Sequence, residues 1–209
     1  MKEHADRLRD ISEIRSLMEQ STKFISLSGL SGISAGVVAL MGAGGAYAYL
    51  VGEGLYDAVR SGIFYAPSSV QLLEVTGIGL LILLAAVAVA SFFSIRLARK
   101  KGVAIWNKTA ARLLINLAIP LVAGGVFCIL LAYYGFFRMV VAGNLVFYGM
   151  ALLNAGKYTL REVRYLGISE IVLGLIAACF LGYGIVFWAL GFGILHIVYG
   201  VVMYYKYEQ

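Results

Sequence analysis

Charge is what this sequence has least of. Aspartate, glutamate, lysine and arginine make up 13% of its 209 residues, about half the roughly 25% of an average soluble domain. Cysteine and histidine are scarcer still, at two each. Cys128 and Cys179 form no CxxC pair and have no histidine at ligand spacing, which argues against a zinc site or a disulfide framework. No phosphate-binding glycine loop, HExxH helix or carboxylate pair at catalytic spacing is present. The expectation is therefore a non-enzymatic protein with no catalytic residue, no metal and no cofactor.

What the chain does have is apolar length. It is 61% hydrophobic, with a mean hydropathy of +0.88. Charge is concentrated before Lys23, and beyond it come runs of the ~20 residues a helix needs to cross about 30 Å of hydrocarbon. The spans are placed near 24–50, 69–95, 110–134, 137–155, 165–183 and 185–205. Ala46-Tyr47-Ala48 has the form of a signal-peptide cleavage site, but the apolar run before it is too long, so the first span reads as retained. Only a few residues separate spans three and four (Tyr134-Gly135-Phe136) and spans five and six (Gly182-Tyr183-Gly184), and connections that short favour antiparallel neighbours. The predicted fold is all-α: a polytopic bundle of six transmembrane helices in three antiparallel hairpins, over residues 24–209. Residues 1–23 precede it as a short amphipathic helix, with Leu8, Ile11, Ile14, Leu17 and Met18 at helical spacing. Ser68 with Gln71, and Thr159 with Glu162, have the spacing of capping boxes that open helices.

Fifteen of the 17 basic residues fall on one side of this map, and only Arg60 and Arg138 on the other. By the positive-inside rule both termini are cytoplasmic, as in a bacterial inner-membrane protein. Arg99, Lys100, Lys101, Lys157, Arg161 and Arg164 then form a cytoplasmic basic surface. Its expected partner is the anionic headgroup layer rather than nucleic acid.

The 25 glycines include several at three- and four-residue spacing on helix faces. Gly32 and Gly36 in span one, Gly174 and Gly182 in span five, and Gly193 and Gly200 in span six are assigned to close helix packing. A homo-oligomer through span one is the sharper reading of the first pair. Polar residues inside the spans are the default functional candidates. His196 is the most central. Glu170 shares the Gly174 face of span five and is expected to meet Arg or Lys from the cytoplasmic loops. Pro120 leaves the carbonyl of Asn116 without its helical donor, which suggests a hinge or polar lining. Asn144, on a face with Tyr148, and Asn154 complete the set. The string Gly29-Leu30-Ser31-Gly32 matches the GxSG of rhomboid proteases, but the serine there belongs to the fourth span, so a dyad with His196 is not expected.

Three segments carry a resemblance: IRSLMEQSTKFISLSGLSGISAG from Ile14, NAGKYTLREVRYLG from Asn154, and GYGIVFWALGFGILHIVYGVVMYYKYE from Gly182. They look like a group of uncharacterised six-span inner-membrane proteins of Bacteroidetes-type bacteria, which implies a fold and a location but no site residue. The leading functional expectation is a channel-like or transporter-like bundle. The alternative is a membrane scaffold or signalling subunit whose N-terminal helix engages a cytoplasmic protein.

Overall fold

A computed structural model describes residues 27–61, 68–102 and 106–209. The proposed amphipathic helix and Pro67 lie outside these. The described residues are helical throughout, with no strand among them. In chain order they form α1 (Gly29–Gly52), the short α2 (Tyr56–Ser61), α3 (Ser69–Lys100), α4 (Lys108–Tyr133), α5 (Val140–Ala155) and α6 (Arg161–Cys179). The last element, α7 (Leu181–Tyr207), is compound. It opens with a 3₁₀ turn over Leu181–Tyr183, continues as α-helix over Gly184–Trp188, widens to a π-helix over Ala189–Leu195, and returns to α-helix over His196–Tyr207.

Among the described residues, five helices are long and apolar enough to cross a membrane: α1, α3, α4, α5 with its preceding turn, and α7. The chain is thus compatible with an integral membrane bundle. Helix α6 differs because Arg161, Glu162, Arg164 and Glu170 all lie along it.

Local chemistry sets several helix starts. Ser68 and Gln71 form the expected capping box, with Gln71 N–H donating to Ser68 Oγ at 3.3 Å and Ser68 N–H to Gln71 Oε1 at 3.0 Å. Asn107 Oδ1 accepts from Ala110 N–H at 2.7 Å and caps α4. Between α4 and α5 the chain reverses at Gly135, whose φ of +82° favours a residue without a Cβ. Helix α4 runs unbroken through Pro120, and Asn116 Nδ2 donates back to the Arg112 carbonyl at 2.8 Å. The side-chain amide of Asn116 is thus satisfied within its own helix, while its carbonyl still lacks the donor that Pro120 cannot supply.

Packing follows the glycines. Helix α1 lies between α3 and α7, and α5 lies between α4 and α6. A Cβ on Gly36 would stand 2.6 Å from the Gly193 carbonyl, and one on Gly32 3.0 Å from Gly200 Cα. The glycine face of span one, assigned to close helix packing, is thus taken by α7 of the same chain. Gly174 packs on the Ala142 carbonyl and Val146 of α5. Gly149 and Gly167, which the spacing argument passed over, form the other close crossing: a Cβ on either would stand 2.6 or 2.8 Å from the other's carbonyl oxygen. Despite the short connection between α6 and α7, the main partner of α7 is α1.

Candidate functional site

Glu170 is fully buried on α6, between Leu166 and Leu173, each of which belongs to or packs against an apolar cluster. It does not meet the basic loops. It lies eight residues beyond Glu162, about 12 Å further along the helix, and faces α7 instead. Its Oε1 stands 3.5 Å from His196 Nδ1, and neither carboxyl oxygen has a hydrogen-bond partner. Gly191 makes room for it: a Cβ there would come within 2.6 Å of Glu170 Oε2 and collide with Leu145.

His196 is satisfied from both sides. Nδ1 is 3.0 Å from the Gly191 carbonyl and Nε2 is 2.7 Å from Tyr148 Oη. A carbonyl can only accept, so Nδ1 carries the proton and Nε2 of the neutral ring accepts from the tyrosine. The π-helical stretch is what makes this geometry. It brings the Gly191 carbonyl, five residues back along the chain, to the histidine's own ring nitrogen. Tyr148 and Phe192 flank the imidazole, with ring centroids 5.4 and 6.1 Å from it.

The result is a carboxyl without a donor, beside a histidine whose only N–H is already engaged. Burying such a group costs free energy that packing elsewhere must offset. The arrangement suits a proton better than a metal ion. A hard cation takes about six oxygens, whereas the nearby carbonyl is already bonded to His196. Among the described residues no cluster of three His, Cys, Asp or Glu side chains is suited to hold a metal. Two cavities, of about 90 and 380 Å³, lie elsewhere and touch neither Glu170 nor His196.

The remaining sequence candidates are dispersed. Asn144 is half-buried one turn before Tyr148, and Asn154 Oδ1 accepts from Lys157 Nζ at 3.3 Å. Ser31 Oγ donates to the Ser28 carbonyl at 2.5 Å, while both nitrogens of His196 are engaged elsewhere. At the end of the bundle near the basic loops, Glu162 takes the role expected of Glu170. It accepts from Lys206 Nζ at 2.5 Å and from Tyr207 Oη at 3.1 and 3.2 Å. Burial works to raise this carboxyl, but the hydrogen bonds from Lys206 and Tyr207 outweigh it and hold it below the usual carboxylate range. Nearby, Glu208 accepts from the Gly29 N–H and from Ser28 Oγ, and Lys101 Nζ donates to the Tyr207 carbonyl.

Tyr148 is the partner that sequence reasoning noted without assigning. The one signal for the triad was that Glu170 and His196 each lie among small residues, where helices come closest. No protein-family model, curated protein or solved structure matches this chain.

Proposed function

We propose that this is a six-span inner-membrane protein, a transporter-like or channel-like bundle in which Glu170, His196 and Tyr148 exchange a proton. The observation that carries the reading is the Glu170 carboxyl, buried without a donor 3.5 Å from His196. A purely structural side chain at that depth would be paired or apolar.

Helix α6 serves as the sixth span. Its charges other than Glu170 lie in its first turn, Arg161 to Arg164, where they reach the interface. Six crossings put both ends of the described bundle on one side, and the distribution of basic residues makes that side cytoplasmic. A proton on Glu170 removes an uncompensated charge, and its loss draws the Nδ1–H of His196 away from Gly191. That exchange competes directly with the hydrogen bond supported by the π-helical stretch. Protonation and the conformation of α7 are thereby linked, as a coupled transporter requires.

The test is proton movement in proteoliposomes carrying an entrapped pH-sensitive dye, under a pH gradient and an imposed potential. Wild type should exceed protein-free vesicles, and Glu170→Gln should return to their rate. Wild-type vesicles no leakier than empty ones, or a Glu170→Gln variant equal to wild type, would refute the proposal.

A further inference from the structure

We infer that the bundle is built as two bodies, α1 with α3 and α7, and α4 with α5 and α6, which part at the Lys206 end when the contact of Glu162 with Lys206 releases. Such a motion is what a coupled transporter needs, so it rests on the transporter-like reading but not on proton exchange at Glu170. Within each body the closest crossing is backbone to backbone. Gly32 and Gly36 of α1 lie against Gly200 and Gly193 of α7, and Gly149 of α5 lies against Gly167 of α6. A side chain set into a glycine notch holds the outer helix of each body, Ile82 of α3 at Gly42 and Phe147 of α5 at Gly124 of α4.

Between the bodies the packing is of another kind. Gly191 of α7 meets only the side chains of Leu145, Glu170 and Leu173, and Leu195 and Tyr199 rest on the apolar cluster of α5 and α6. Although α6 and α7 are consecutive, each packs far more on its own body, α6 on α5 and α7 on α1. Polar contacts cross the boundary at two levels. At mid-depth His196 of α7 faces Glu170 of α6 at 3.5 Å and Tyr148 of α5 at 2.7 Å. Nearer the surface, Glu162 of α6 takes Lys206 Nζ at 2.5 Å and Tyr207 Oη at 3.1 and 3.2 Å. The other bonds of this segment, from Gly29 N–H to Glu208 and from Lys101 Nζ to the Tyr207 carbonyl, join α7 to the ends of α1 and α3 and would travel with it. The chain passes between the bodies twice. At the far end Phe180 alone separates α6 from the turn that opens α7, whereas residues 101–107 link α3 to α4 at the Lys206 end. A one-residue link at one end and a solvent-exposed ion pair at the other make a hinge and a weak latch. Parting at the latch opens the α6–α7 seam toward His196 and Glu170 while both glycine crossings stay closed.

The test is a set of three distances, measured by pulsed electron paramagnetic resonance on the full chain in nanodiscs. Nitroxide labels go on exposed positions in a background of Cys128→Ala and Cys179→Ala. Tyr165→Cys with Tyr205→Cys spans the boundary. Leu30→Cys with Tyr205→Cys lies within the first body, and Met150→Cys with Tyr165→Cys within the second. Adding Glu162→Gln, or separately Lys206→Gln at the exposed partner, should lengthen the first distance by about 2 Å or more and leave the other two as they were. Two results overturn the division: neither variant lengthens the first distance, or a distance within one body lengthens as much. No distance depends on proton flux, so failure of the proton-exchange reading and failure of the two-body motion are seen separately.

Discussion

Glu162 and Glu170 stand on one helix, eight residues apart, and are treated in opposite ways. Glu162 has a lysine, a tyrosine hydroxyl and access to solvent through Lys206, which is more than half exposed. Glu170 has none of these, only the edge of a histidine committed elsewhere. The first carboxylate helps hold the ends of α6 and α7 together. The second is a local cost that the fold sustains, and sites that lower stability in this way are where function concentrates.

The sharpest way to break this contrast is to make both glutamates apolar. Glu170→Met should raise stability by about 2 kcal/mol, because it removes a buried carboxyl that lacks a partner. The check is thermal or denaturant unfolding in detergent, and a loss of stability would mean that Glu170 is paired after all. Next in size is Tyr148→Phe, which strips His196 Nε2 of its donor and should cost about 1.5 kcal/mol. In proteoliposomes it should also slow proton exchange, since His196 Nε2 then loses the hydroxyl it exchanges with. Glu162→Met should move stability the opposite way from Glu170→Met, by about 1 kcal/mol, a value kept small by solvent screening at Lys206. Lys206→Met should lower stability in the same direction, and the double variant should cost little more than Glu162→Met alone.

The smallest effect is with pH. Because the folded Glu162 carboxyl sits below its unfolded value, its contribution is complete above the ordinary carboxylate range. It is lost as pH falls through the folded value. Stability measured from the ordinary carboxylate range downward in pH should therefore decline less steeply in Glu162→Gln than in wild type.

The helices were readable from the sequence because hydropathy over ~20 residues depends on composition alone. The capping box at Ser68 was readable because it is local. Glu170 was recognised as a candidate, but its partner was misjudged: depth along α6, not face, kept it from the basic loops. The Glu170–His196–Tyr148 group could not be assembled because it depends on the register between three helices. That register is set by glycine contacts such as Gly149 on Gly167, and by a π-helical stretch whose widened turn no 3.6-residue period encodes.

The clasp of Glu208 on Gly29 has a consequence for biosynthesis. The first residue of α1 receives its acceptor from a side chain 179 positions later. At ~5–20 residues per second, the ribosome reaches that side chain roughly 9–36 s after it has added Gly29. Throughout that interval the face of Gly29, Gly32 and Gly36 lacks its partner α7, while α3 already offers cover on another side. In a bilayer, α1 can insert early as a single helix and find its final neighbour last. The seam between the first and last helices is then the closing step of assembly, and a nascent chain arrested before α7 should leave that glycine face open to any other helix in the membrane.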